Sequence, residues 1–318
     1  MYRQFYGFPL EPFSINPDPK FLYLARSHFE AFSSMMSGIR ERKGIIVITG
    51  EPGIGKTLLI YAILKDLTGK VKTAFIFNPS MGFQNILENI LLELNIPVDA
   101  REKNISSLLV RFRRYLNERQ ARQETVAVVI DEAQSLDNEA LESLLRFSSA
   151  GDPATKALQI LLVGHLGLEE NLNSEKLRPY KENLRVKCRI RPFTREEGRG
   201  YVRHRLKLAG RDISEIFTSE AVSQVWEFSR GIPRVINLLC DRSLLIGYTN
   251  SNSIIDAKIV KEAMKDLNYL RAGEMQTFLP KLSGKISRSK FLRILFFIFS
   301  VCVFLFSLNF LIPLFFRR

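Results

Sequence analysis

The stretch Gly50-Glu51-Pro52-Gly53-Ile54-Gly55-Lys56-Thr57 decides how the rest of the chain is read. It fills the pattern G-x-x-x-x-G-K-[ST] and follows the apolar, β-branched run Ile45-Ile46-Val47-Ile48-Thr49. It leads into Leu58-Leu59-Ile60-Tyr61-Ala62-Ile63-Leu64, which holds no helix breaker. Strand, glycine loop and helix in that order make a phosphate cradle. The glycines let the backbone curl so that successive N–H groups point inward, and the helix N-terminus adds partial positive charge there. In such a loop Lys56 reaches the β- and γ-phosphates and the Thr57 hydroxyl ligates Mg²⁺. The competing reading is a chance glycine turn before an ordinary helix, and the flanking strand and helix both weigh against it. The expectation is a nucleoside-triphosphate site holding ATP and Mg²⁺.

Outward from the loop, apolar runs alternate with helical periodicity. Strands are expected at 72–77, 126–130, 158–163 and 185–190, with helices ending near 94, at 105–118, and ahead of the loop at 27–40. This alternation predicts an α/β fold with a parallel sheet flanked by helices, and ligands at the carboxyl ends of the strands. The run Val126-Ala127-Val128-Val129-Ile130 suits a strand buried on both faces and ends in Asp131-Glu132-Ala133-Gln134. Asp131 would hold Mg²⁺ through water, and Glu132 would polarise the attacking water. A paired carboxylate points to hydrolysis rather than binding alone. His165, just past the fourth strand, either contacts the γ-phosphate or is structural. Arg234 follows Gly231-Ile232-Pro233, and it either reaches the triphosphate from a second domain or is a surface arginine after a turn.

From Thr194 the pattern is helical only: 195–208, 219–229, 233–248 and 256–270, with Thr194/Glu197 and Ser219 marking helix starts. The reading therefore divides the chain into an N-terminal segment (1–43), a P-loop core (44–193), a small all-helical lid (194–272) and a basic linker (273–293). The first segment carries Phe8-Pro9, Pro12-Phe13 and Asn16-Pro17-Asp18-Pro19, a proline density that favours turns over helix. It packs over the nucleotide base or serves as a plain clasp. Residues 294–316 carry no charge and at ~1.5 Å each reach across a ~30 Å hydrocarbon layer. Lys281, Lys285, Arg288, Lys290 and Arg293 precede them and Arg317 and Arg318 follow. That imbalance predicts a single-pass helix in the inner, cytoplasmic membrane with the bulk of the chain in the cytoplasm.

The bulk numbers agree. A chain of 318 residues supports about two domains. A net charge of +13 favours an anionic partner, nucleic acid or acidic lipid, without choosing between them. Three scattered cysteines and three scattered histidines argue against a disulfide framework or a zinc site. The N-terminus lacks the apolar region of a signal peptide.

These motifs together resemble the AAA+ ATPases of the ExeA/GspA type, the cytoplasmic ATPases of the general secretion pathway. The resemblance rests on Pro12-Phe13-Ser14, the run from Pro17 to Leu24, the glycine loop, Ile130-Asp131-Glu132-Ala133-Gln134, Leu161-Leu162-Val163-Gly164 and the run from Gly231 to Arg242. It implies a core-and-lid fold, Arg234 as the lid-borne sensor arginine, residue 165 as the sensor after the fourth strand, and homo-oligomers in which a neighbour's arginine completes each site. Where that family usually has glutamine this chain has His165, and the trans-acting arginine falls on Asn183, with Arg178 and Arg185 nearby. Family members carry a periplasmic region after their span, whereas this sequence stops two residues beyond residue 316. The resemblance implies work on an envelope secretion, pilus or polysaccharide-export system. Two other readings compete. One is a DNA-linked ATPase like the transposition regulators, with Arg178, Lys181, Arg185, Lys187, Arg189 and Arg191 tracking phosphates. The other is an ATP-binding scaffold with little turnover.

Overall fold

A computed structural model describes residues 2–69, 71–98, 104–148 and 153–278. The chain divides into Met1–Lys265, which holds the sheet and all the helices described below except the end of the last one, and Asp266–Arg318, whose described residues 266–278 are helical.

Five parallel strands form one sheet: β1 (Ile45–Gly50), β2 (Lys72–Ile76), β3 (Val126–Ile130), β4 (Leu158–Gly164) and β5 (Leu184–Ile190), in the order β2-β3-β4-β1-β5. All five coincide with the expected strands. The central three are buried along their whole length, as uninterrupted apolar runs should be when both faces are covered. The edge strand β5 alternates between exposed and covered positions.

The period of two splits the strand residues between two cores. Ile45, Val47, Val128 and Ile160 belong to one, with residues of α4 (Phe83–Glu93), α5 (Ile105–Ala121) and α6 (Asn138–Ser148). Ile46, Ile48, Val129 and Leu161 belong to the other, with α2 (Arg26–Arg40) and α3 (Lys56–Leu67). A short α7 (Gly167–Leu172) follows β4.

Past β5 the described elements are helices only, and this part, called the lid below, contains α8 (Arg195–Leu208), α9 (Ile213–Ile216), α10 (Ser219–Ser229), α11 (Pro233–Thr249) and the start of α12 (Ala257–Phe278). Thr194 and Glu197 form the expected capping box. Helix α10 spans the expected residues, and its cap is Thr218. Its extended backbone lets the hydroxyl reach Ala221 N, which makes Ser219 the first helical residue. Helix α12 runs to Phe278, through part of the expected linker; Gly273 lowers helix propensity by about 1 kcal/mol but does not end it.

The N-terminal segment opens with an unexpected helix, α1 (Tyr2–Tyr6), placed before the first proline. It clasps α11: the Tyr2 hydroxyl donates to Asp241, and the Tyr6 hydroxyl donates to Asn252 O at 2.9 Å. Among the described residues no helix is long and apolar enough to cross a membrane, and the expected span at 294–316 lies outside them.

Candidate functional site: a glycine-loop nucleotide pocket

The order of the strands places the chemistry. Ile48 pairs with Val163 and Ile130 with Leu162, so β1, β4 and β3 end at the same edge of the sheet, with β4 in the middle. The glycine loop leaves β1 at that edge, Asp131 follows β3, and His165 follows β4.

Gly53 and Gly55 take φ values of +77° and +104°, the left-handed region that a side chain disfavours. Gly55 is thereby the N-cap of α3, with Lys56 as its first residue. The Lys56 ammonium is buried at 6% exposure and folds back onto its own loop, donating to Gly50 O at 3.0 Å and Glu51 O at 3.1 Å. Burial lowers its pKa, opposed by the carboxylates of Glu132 and Asp131.

Asp131 is fully buried. Its Oδ2 accepts from the Thr57 hydroxyl at 2.7 Å and its Oδ1 from Glu132 N at 2.9 Å. Burial pushes its pKa above the usual carboxylate range, although both hydrogen bonds pull the other way. A hydroxyl and a carboxylate are hard oxygen donors of the kind Mg²⁺ takes alongside water, so Thr57 and Asp131 fit that ion.

Glu132 sits in the left-handed region at φ 53°, a position that is costly for a non-glycine residue. Its Oε2 accepts from Gln134 Nε2 at 2.5 Å, and Gln134 Oε1 accepts from His165 N at 3.0 Å. Gln134 thus ties the acid after β3 to the end of β4. A Cβ on Gly164 would stand 2.5 Å from Gln134 Oε1, so the crossing needs a glycine there.

A cavity of about 390 Å³ opens over the loop, a volume within the range of small-ligand sites. Gly53, Gly55, Lys56, Thr57, Glu132 and Arg234 line it together. Arg234 opens α11 behind Pro233, and its backbone N–H donates to Gly53 O at 3.1 Å, so the lid touches the loop directly. His165 is not among the lining residues. Its Nδ1 accepts from Gly167 N at 3.0 Å, which leaves Nε2 as the protonated nitrogen of the neutral ring. Arg178 and Arg185 are exposed and stand apart from the cavity.

The cavity also has walls that the sequence reading left without a role. Residues 14–18 form one of them, while α1 bonds to Asp241 and Asn252 on the helical side. Tyr201 donates to Asn237 Oδ1 at 2.9 Å. Arg205, one helical turn on and buried at 3% exposure, donates to Pro12 O and, at 2.9 Å, to Ser14 O. Its guanidinium also lies 4.2 Å from the centre of the Phe21 ring. The available signal was their spacing of four on α8, which puts both side chains on one face.

Comparison with known proteins agrees with this geometry. Residues 39–172 match the AAA domain family. The chain is 34% identical over 260 residues to general secretion pathway protein A of Aeromonas hydrophila, covering 81% of this chain and 47% of that protein. It thus spans about half the length of that relative. It is also 24% identical over 238 residues to the Holliday junction branch migration complex subunit RuvB of Mycoplasmopsis synoviae, covering 72% of this chain and 64% of that protein. Among solved structures, Cdc6p from Pyrobaculum aerophilum superposes with a TM-score of 0.63 at 17% identity, covering 78% of this chain and 70% of that one. That likeness speaks for the fold. With Gly53, Gly55, Lys56, Thr57, Glu132 and Arg234 lining one cavity and Asp131 bonded to Thr57 beside it, the chain carries a P-loop AAA domain and is a relative of general secretion pathway protein A.

Proposed function

We propose that this protein binds ATP with Mg²⁺ and hydrolyses it, as a membrane-anchored oligomer, to drive or regulate assembly of a bacterial envelope secretion, pilus or polysaccharide-export system. One observation carries the chemistry: Thr57 and Asp131 are hydrogen-bonded at 2.7 Å beside a cavity lined by Lys56, Glu132 and Arg234.

Each residue has a distinct task. The loop N–H groups and Lys56 hold the phosphates, while Thr57 and Asp131 hold Mg²⁺, which supplies charge neutralisation when bound. Glu132 accepts hydrogen bonds from a water and orients it. Release of Glu132 from Gln134 is the step that frees its carboxylate, which connects turnover to the end of β4 and to His165. Arg234 brings lid and loop together. Exposed Arg178 or Arg185 completes a neighbour's site in the oligomer, in place of Asn183.

The envelope role is supported by the relative named above, and the anchor by the uncharged stretch 294–316. Cell fractionation tests the latter: the full chain is expected in the membrane fraction, and a variant lacking residues 291–318 in the soluble one. Membrane retention of that variant would contradict the anchor. A second reading, a DNA-linked ATPase, draws on Arg185, Lys187 and Arg189, which are all exposed along β5. It requires nucleic-acid affinity that falls steeply with salt.

A further inference from the structure

His28 stands on the first turn of α2, behind the glycine loop, and only 3% of it is exposed. Its Nε2 lies 2.9 Å from Ile54 O. A carbonyl can only accept, so Nε2 carries the proton; Nδ1 is then bare, buried and without a partner. A histidine kept this way, with half of its polar capacity unused, holds one loop carbonyl in place.

The other side of the ring faces the start of the lid. Its centroid is 5.1 Å from that of Phe193, a residue that is itself 3% exposed. Phe193 N donates to Gly231 O at 2.9 Å, and Phe193 O accepts from Trp226 Nε1 at 2.9 Å. Three residues beyond Gly231, Arg234 N returns to the loop at Gly53 O. The contacts therefore close a ring that runs from Ile54 through His28, Phe193, Gly231 and Arg234 to Gly53, the residue next to Ile54. Two further bonds keep the start of α2 in step with the same segment: Arg26 N donates to Glu197 Oε1 at 3.0 Å, and Arg191 N donates to Ser27 Oγ at 3.1 Å.

We infer that His28 is a positioning residue that couples the glycine loop to the lid through Phe193, so that filling the loop with nucleotide is felt at Trp226. A phosphate drawing in the loop N–H groups moves Ile54 O, the Nε2–H bond moves the imidazole with it, and the ring displaces Phe193 in a close-packed site that leaves no slack.

Trp226 is the chain's single tryptophan, so its emission reads this path in the full-length protein. Titration with a non-hydrolysable ATP analogue and Mg²⁺ is expected to give a saturable change in wild type. His28→Phe keeps the ring's bulk against Phe193 and deletes the N–H. It is expected to bind the analogue about tenfold more weakly and to lose the emission change at saturation. His28→Gln, which returns an N–H within reach of Ile54 O, is expected to restore both. A full wild-type response in His28→Phe, or no rescue by His28→Gln, would overturn the coupling. Should His28→Phe not fold, Phe193→Leu replaces it: the loop's hydrogen bonds stay intact, and a persisting response would overturn the inference. The inference rests on the ATP-binding reading. Failure of wild type to bind the analogue would contradict that reading, whereas binding with an unchanged response in the variants contradicts the coupling alone.

Discussion

Thr57 and Asp131 lie 74 positions apart in sequence and are joined by a 2.7 Å hydrogen bond, although the strands that deliver them are separated by β4. The bond reaches past the end of β4 because α3 starts directly at the loop and turns Thr57 back along the edge of the sheet. The two magnesium-ligand candidates are thus held together before any ion arrives, at the cost of burying a carboxylate.

That cost can be measured. Asp131 has a raised pKa in the folded protein, so its protonated form favours the fold in acid, and stability is lost as pH rises through the folded value. Asp131→Asn keeps the shape without the charge: its Oδ1 still accepts from Glu132 N, and its Nδ2 donates to the Thr57 hydroxyl, which then accepts. At neutral pH it is expected to raise stability by about 1 kcal/mol in urea melts while abolishing the Mg²⁺ dependence of nucleotide binding. A loss of stability would contradict the argument from desolvation.

Lys56 makes charge-assisted bonds to Gly50 O and Glu51 O. Lys56→Ala removes the only cation of the loop 50–57, one that lines the cavity. Calorimetric titration is expected to show ATP affinity reduced about 100-fold or more, with the melting temperature changed little.

Gly231 is held at φ +74°, and a Cβ there would lie 2.2 Å from Phe193 O. Backbone cannot yield as a side chain does. Gly231→Ala is therefore expected to cost about 2–4 kcal/mol of folding stability, and Trp226 emission in urea is the direct readout, since its indole bonds to the displaced carbonyl.

Arg205 holds the carbonyls of Pro12 and Ser14, and so fixes residues 14–18 against the cavity. Arg205→Met retains much of the bulk over Phe21 and removes the donors. The expected result is rapid limited proteolysis between residues 9 and 18, a stability loss of about 1–3 kcal/mol from two unsatisfied carbonyls, and weaker nucleotide binding. An unchanged cleavage pattern would remove Arg205 from the account.

Much of this was open to reading because it is local. β1, β3 and β4 announce themselves through uninterrupted β-branched and apolar runs, and the glycine loop is written in consecutive residues. Thr194 and Glu197 are a capping pair within one turn. Other features depend on distance in space rather than in sequence. Helix α10 starts at Ser219 as expected, but its cap is Thr218, because the backbone before α10 is extended, which residue type alone does not determine. Gln134 stood inside a recognised motif, yet its bonds to Glu132 and His165 N exist only because β3 and β4 are neighbours. His28 and Arg205 reach residues 26 and more than 190 positions away, on elements whose relative placement no periodicity encodes.

The most direct test is a steady-state assay of phosphate release from ATP and Mg²⁺, run beside equilibrium binding, for the wild-type protein and Glu132→Gln. The account predicts turnover by wild type and, in the variant, ATP affinity within about twofold of wild type with turnover reduced about 100-fold or more. Wild-type binding without turnover, or equal turnover in the variant, would contradict the assignment of Glu132 and of the protein as an ATPase working through this site.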